Sequence, residues 1–342
     1  MHQNPYGRHT GEWTFYRARM HKQRLVALLA SMLSCALAAE FLETEWQSWK
    51  ARHERKYESD EEEVLRRERW EETWKKVTEH NKLADQGKKS YRMAMNHFAD
   101  RTPYELKSMS CLRVPAVRQS GKSKYSDVSL KSLPPQVDWR DQRCVTAIKD
   151  QGRCGSCWAF AAVGSLESRH CIKTGELFEM SEQELVDCDQ EDGGCCGGFP
   201  YSAFRFISQH GIMPSKKYKY KGRDGSCRLR HSKTVPMNMS KFYELNGEDS
   251  MAAAVAYDGP ITVGFAVTNT FYYYSEGIYE EEDCPDANHA IIIVGYGEEN
   301  HEDYWIIKNS WGHYWGDRGY AKVRRNANVC TISEMGAAMD LL

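Results

Sequence analysis

Ten of the twelve cysteines stand at or after Cys144, and only Cys35 and Cys111 precede them. Such crowding reads as a disulfide framework if the compartment is oxidising. The N-terminus supplies that condition. From Met20, "MHKQRLVALLASMLSCALAAEF" has a basic start, an apolar run from Leu25, and Ala36 and Ala38 at positions −3 and −1 of a cut after Ala38. This is a secretory signal peptide, because its apolar core is too short to span a bilayer and charged residues follow at once. Residues 1–19 are polar and basic and precede the signal, so translation is expected to begin at Met20. The mature chain is expected in the lysosome or outside the cell, monomeric and free of membranes.

The 342 residues suffice for more than one core. The net charge of −2 hides an asymmetry: from Lys131 onward the net is −8, whereas residues 40–130 carry +2. The acidic half has no basic stripe interleaved with aromatics, which argues against nucleic acid as a partner.

Residues 40–85 lack Pro and Gly and read as helix, with Trp46 and Trp49 on one face and Trp70, Trp74 and Val77 on another. The stretch "RVPAVRQSGKSKYSDVSLKSLPPQ" reads as an exposed linker and a nicking site. Helical spacing resumes from Cys157 to about Lys173 and stops at Gly175. Ser181 and Glu184 form a capping box for a second helix. From about Gly259, "GPITVGFAV", "HAIIIVGYG", "DYWIIKNSW" and "GYAKVRR" are short β-branched and aromatic runs punctuated by Gly, the pattern of a sheet or barrel. A helical half followed by a β half predicts an α+β molecule of two domains with a cleft between them.

Within "QGRCGSCWAF", Cys154 and Cys157 admit three readings: a redox dithiol, part of a zinc site with Cys195 and Cys196, or one structural and one reactive thiol. No thioredoxin-like βαβ pattern surrounds the pair. A zinc site would lack a second Cys-x-x-Cys knuckle. The third reading has chemistry behind it, since a thiolate is favoured at a helix N-terminus beside an imidazolium. Cys157 falls in such a first turn. His289 lies 132 residues on, and Asn309, 152 residues on, can orient its ring.

From Leu133 onward the chain resembles the papain family of cysteine proteases, in the style of cathepsin L. The resemblance rests on "VDWR", "QGRCGSCWAF", "SEQELVDC", "GCCGG", "NHAIIIVGYG" and "KNSWGHYWGDRGY". It implies a papain-like α+β fold, with a helical left domain and a β-barrel-like right domain, and no metal or cofactor. It further implies Cys157 as nucleophile, His289 as general base and acid, Asn309 as its orienter and Gln151 as oxyanion donor with the Cys157 N–H. Trp311 would shield the His–Asn pair, and the resting Cys–His pair would be ionised.

Upstream, Glu63, Arg67, Trp70, Val77 and Asn81 fall at the spacing of the inhibitory proregion of such zymogens. Asn96, Phe98 and Asp100 in "AMNHFAD" resemble its second motif. Thr73 stands where Asn is expected, a change expected to weaken one contact. The division that follows is 1–38 extension and signal, 39–132 propeptide and 133–342 catalytic domain. The implied disulfides are Cys154–Cys195, Cys188–Cys227 and Cys284–Cys330. Cys196 stands in place of the usual Asn, so Cys195 and Cys196 both remain candidates for Cys154. Cys144 and Cys171 either pair or stay free.

The implied substrate cleft has Gly197 and Gly198 for main-chain pairing. Phe199, Pro200, Gly264, Ala287, Ala290 and Met335 would line an apolar pocket without a floor carboxylate, suited to Leu or Phe. The absence of a long His-containing insertion between Cys196 and Cys227 implies an open cleft, hence an endopeptidase. Polypeptide substrates, the chain's own propeptide and cystatin-type inhibitors are the expected partners. Asn238 heads a glycosylation sequon. The competing reading is a silent papain-like binding protein; such proteins lose the nucleophile or the base, and this chain keeps both.

Overall fold

A computed structural model describes residues 32–34, 36–114, 125 and 133–342. Most of the signal segment and of the linker, residues 1–31 and 115–132 apart from Tyr125, lies outside the described residues. The chain forms two compact units, residues 1–71 and 72–342. No helix among the described residues is long and apolar enough to cross a membrane.

The single helix expected over 40–85 is two: α1 over 36–52 and α2, Asp60–Asp85. Between them Glu54 takes a left-handed φ of 51°. Ser59 Oγ then accepts from the Glu62 N–H at 3.2 Å, and four acids from Asp60 to Glu63 occupy the first turn, where the helix dipole favours them. Aromatic packing explains the break. Trp46 stacks on its helical neighbour Trp49 at 5.4 Å, but it also stacks on Tyr57 at 5.9 Å and meets Trp70 edge-on at 5.6 Å, two contacts that one straight helix could not make. Arg67 bridges Glu43 at 2.7 Å and Glu71 at 2.6 Å, and Lys50 pairs with Glu63.

In the second unit, β1 (Tyr91–Met93) and the short α3 (Pro103–Lys107) precede β2 (Val137–Asp138). The helical layer follows as α4 (Cys157–Thr174), α5 (Glu182–Cys188) and α6 (Pro200–His210). Then come β3 (Met239–Leu245), α7 (Glu248–Tyr257), β4 (Ile261–Phe265), β5 (Tyr274–Tyr279), β6 (His289–Glu299), β7 (Glu302–Lys308), β8 (Tyr320–Arg324) and β9 (Gly336–Leu341). The strands order as β1-β5-β8-β7-β6-β4-β9-β3, with β2 paired to β6. The fold is the papain-like α+β arrangement. α4 ends at Gly175, and its buried Trp158, Ala162 and Leu166 share a core with Leu185, Phe204 and Ile207 of the next two helices. A second core of Phe265, Phe271, Tyr279, Trp305 and Trp315 fills the sheet side.

Three details differ from expectation. The Ser181 hydroxyl accepts from the Glu184 N–H at 3.0 Å, but the box is half-formed, because the Glu184 carboxylate instead accepts from the Met213 N–H at 2.7 Å. Tyr125, placed by sequence in an exposed linker, is buried, with its hydroxyl on Asp258. Thr73 keeps a contact: it is buried and donates to the Ala99 carbonyl at 2.9 Å.

Four disulfides join described cysteines: Cys144–Cys171, Cys154–Cys195, Cys188–Cys227 and Cys284–Cys330. Among the described residues Cys111, Cys157 and Cys196 are free. The partner of Cys154 is thus Cys195, and Cys144 and Cys171 bond to each other.

Candidate active site

Cys157 is the first residue of α4, preceded by Ser156, whose hydroxyl turns to Tyr220 at 2.7 Å instead of capping the helix. The first-turn N–H groups therefore face the thiol without competition from a side-chain cap. His289 opens β6, and its Nε2 lies 2.9 Å from Asn309 Oδ1, just beyond β7. The same oxygen accepts from the Ser310 N–H at 2.8 Å, which fixes the amide and hence the ring. Trp311 stacks on the imidazole at 4.6 Å and is itself packed by Trp315 at 5.3 Å. These rings exclude water from the His–Asn bond. Gln151 is held by Ser310 Oγ, which donates to its Oε1 at 2.7 Å, leaving Nε2 as the donor aimed into the cleft.

The cleft is occupied by the chain itself. The Met109 carbonyl accepts from Gln151 Nε2 at 2.8 Å. The Leu112 N–H donates to the Asn288 carbonyl at 2.8 Å, and the Arg113 N–H to the Gly198 carbonyl at 2.9 Å. Leu112 pairs with Gly198 in a parallel bridge. Gly197, at φ 107°, is tolerable only without a side chain: a Cβ there would lie 2.0 Å from the Cys111 carbonyl oxygen. Arg113, assigned to the linker by sequence, is thus the last link of a strand laid along the cleft.

Burial shifts both groups of the site. Burial pushes the Cys157 thiol up to about 11, against hydrogen bonds from the Ala290 and Cys111 backbones. Burial also pushes His289 down to about 4, partly offset by the bond to Asn309. Both shifts favour the neutral forms, so the ionised resting pair expected from the resemblance is disfavoured while the proregion strand is in place.

The apolar pocket contains Phe199, Pro200, Gly264 and Met335, together with Leu112 of the proregion. A Cβ on Gly264 would meet Met335 Cε at 2.5 Å and Leu112 Cδ2 at 3.3 Å, so all three crowd one spot. Ala290 is buried in a cluster with Cys157 and Ala161, against which Leu112 packs. Glu244 and Glu334 are also among the residues around the pocket.

Of the proregion residues in this unit, Asn81 clamps β1 by donating to the Met93 carbonyl and accepting its N–H, each at 2.9 Å. Asn96 Nδ2 donates to the Tyr272 carbonyl at 2.8 Å. Phe98 meets Trp311 edge-on at 5.6 Å, Val77 joins the sheet-side core and Asp100 is buried. Sequence reasoning missed Met109, Cys111 and Leu112. It also missed the capping box of Thr102 and Glu105 that turns the chain toward them, although Thr-Pro-x-Glu is a readable signal.

A helical layer whose first helix opens at Cys157 and a sheet whose β6 opens at His289, with the cleft filled by an upstream segment, define a latent thiol hydrolase. Residues 133–339 match the model of the papain family of cysteine proteases, and residues 46–106 match the cathepsin propeptide inhibitor domain (I29). The chain belongs to the papain family and is a cysteine endopeptidase with an intramolecular inhibitor. It is 42% identical over 302 residues to cathepsin S of Bos taurus, covering 85% of this chain and 91% of that one. It is 40% identical over 319 residues to cathepsin K of Mus musculus, covering 91% and 97%. The solved digestive procathepsin L2 of Tenebrio molitor larval midgut superimposes with a TM-score of 0.82 at 36% identity, covering 88% of this chain and all 100% of that one. The chain is a cathepsin L-like zymogen.

Proposed function

We propose that the protein is a secretory-pathway cysteine endopeptidase, held latent by residues 39–132 and released by acid, acting in the lysosome or outside the cell. Cys157 is its nucleophile and His289 its general base and then acid. Asn309 orients the imidazole. Gln151 Nε2 and the Cys157 N–H receive the oxyanion of the tetrahedral intermediate. The thiolate attacks the scissile carbonyl, the amine leaves with a proton from His289, and water activated by His289 hydrolyses the acyl-enzyme.

The observation that carries this reading is the Met109 carbonyl on Gln151 Nε2, 2.8 Å away. A peptide carbonyl already occupies the donor that a substrate's carbonyl would use. Leu112 beside Gly264 and Met335 similarly favours a large apolar side chain in that pocket. Asn238 is exposed, as a glycan requires. Cystatin-type inhibitors and a monomeric state complete the proposal. The test is to label the acid-treated protein with an epoxide thiol probe and map the modified residue by mass. Label on Cys157 together with lost peptide hydrolysis is expected; label elsewhere with hydrolysis intact rejects the assignment.

A further inference from the structure

Two of the three free cysteines among the described residues have no part in the proposed chemistry, and they belong to opposite sides of the cut that would mature the enzyme. Cys111 is in the proregion strand. Cys196 is in the cleft wall, between Cys195 and Gly197.

Their surroundings coincide. The register that pairs Leu112 with Gly198 sets Cys111 beside Gly197, one residue from Cys196. A Cβ on Gly197 would touch the Cys111 carbonyl oxygen at 2.0 Å and its Cβ at 3.0 Å. On the other flank, a Cβ on Gly155 would meet Cys111 Cβ at 2.7 Å, Cys111 Sγ at 2.8 Å and the Cys195 carbonyl oxygen at 2.6 Å. Cys111 therefore packs against Gly197, the residue after Cys196, and against Gly155, whose N–H donates to the carbonyl of Cys195, the residue before it. The Arg113 Nε adds a bond to the Cys196 carbonyl at 3.1 Å, which pins the two backbones together. The Cys111 thiol is raised by burial first and then by the charge of Cys196, as a close pair would be. Cys196 is exposed and Cys111 half-buried, whereas Cys157 lies fully covered, so a solvent oxidant reaches the first two and not the third.

We propose that Cys111 and Cys196 form a reversible disulfide that ties the proregion strand into the cleft, so that release requires a reductant as well as acid. The inference rests on the zymogen reading above. A small-molecule disulfide, RSSR, supplies the oxidant. The Cys196 thiolate displaces one RS⁻, and the Cys111 thiolate then displaces the second from the mixed disulfide. Two protein thiols lose two protons and two electrons, and RSSR leaves as two RSH. Thiol reductants reverse the sequence. None of the four disulfides of the structure joins the proregion to the catalytic half, so this bond would be the one covalent link left among the described residues after the linker is cut.

The experiment uses full-length zymogen treated at neutral pH with oxidised glutathione, blocked with iodoacetamide, digested without reduction and mapped by mass. A Cys111–Cys196 linked peptide is expected. Recovery of both residues alkylated or singly glutathionylated, or of Cys111 joined to Cys157, overturns the proposal. A second arm moves the oxidised protein to acid and compares gels with and without reductant. The wild type should lose its separate propeptide band on the non-reducing gel only, and Cys111→Ser, whose catalytic half is unchanged, should show that band on both. A freed propeptide from the oxidised wild type without reductant also overturns it. Because the linked peptide is read before acid, failure of Cys111→Ser to cleave would count against the protease reading alone.

Discussion

The Met109 carbonyl oxygen and Gln151 Nε2 are 2.8 Å apart, so the main chain upstream takes the side-chain donor that we propose serves the oxyanion. Replacing Gln151 with Ala removes that donor from both uses. The mature variant should lose about 10²- to 10³-fold in kcat. The isolated proregion should also bind it about 10-fold more weakly, for one lost hydrogen bond. Peptide hydrolysis and proregion titration measure the two effects, and an undiminished kcat rejects the role.

Cys157 should be poorly reactive in the zymogen. With the thiol pushed up to about 11, little thiolate exists at neutral pH, and alkylation should climb as pH rises toward that value. After removal of the proregion the reaction should be fast at neutral pH already. Iodoacetamide incorporation at Cys157, followed by mass across pH in both forms, is the measurement. Equal rates at pH 7 would contradict the burial argument.

Acid should release the proregion, and His289 gives the sign. Its pKa in the covered state is depressed to about 4, so the stabilisation of that state is full above the ordinary value near 6.5 and is lost as pH falls through about 4. A shift of this size is worth roughly 3 kcal/mol at most. Two ion pairs also tie the proregion to the sheet, Lys89 with Glu281 at 3.2 Å and Arg92 with Glu276 at 3.6 Å. Conversion followed on gels should be slow at pH 7 and fast near pH 4–5, and Glu281→Gln should move the midpoint upward. Equal conversion at both pH values would refute the latch.

The catalytic half should instead be hurt by neutral pH. Burial raises Asp192 to about 7 against bonds from Ser202 and the Phe199 N–H, and raises Glu184 to about 7 as well. Carboxyls with raised folded pKa contribute stability that is full below the unfolded value near 4 and is lost as pH rises through 7. The Tm of the mature enzyme should fall by several degrees between pH 5.5 and pH 8, and Asp192→Asn should flatten that fall. A Tm that rises over the interval would contradict it.

Met335→Glu should raise the ratio of kcat/KM for Arg over Leu in the apolar pocket, by about 10-fold or more, since a carboxylate beside Gly264 pairs with a guanidinium. Paired fluorogenic peptides measure it, and an unmoved ratio means the pocket is lined otherwise.

The parts legible in the sequence were those whose cause is local. Gly175 stops α4, Cys157 starts it, and the β-branched runs after Gly259 become β4, β6, β7 and β8. What escaped depends on partners distant in the chain. The break between α1 and α2 carries no Pro or Gly and follows from Trp46, Trp49 and Trp70 packing together. The choice between the adjacent Cys195 and Cys196 is settled only in the fold, where Cys154 bonds to Cys195. Met109, Cys111 and Leu112 have no motif of their own. Their importance comes from a strand position that the Thr102 cap and the Asn288 and Gly198 carbonyls impose.

β1 has a consequence for the protein after maturation. In the zymogen Tyr91 pairs with Gly277, Arg92 with Glu276 and Met93 with Tyr274, so the proregion supplies the outermost strand beside β5. Losing it turns β5 into a bare rim of unpaired amides and carbonyls, the kind of surface on which foreign strands add and fibrils seed. The carboxylates of Glu276 and Glu281, which hold Arg92 and Lys89 beforehand, are left along that rim once the bases depart. The same side chains that grip the proregion then act as charged gatekeepers, repelling a second copy of this acidic enzyme from the exposed border.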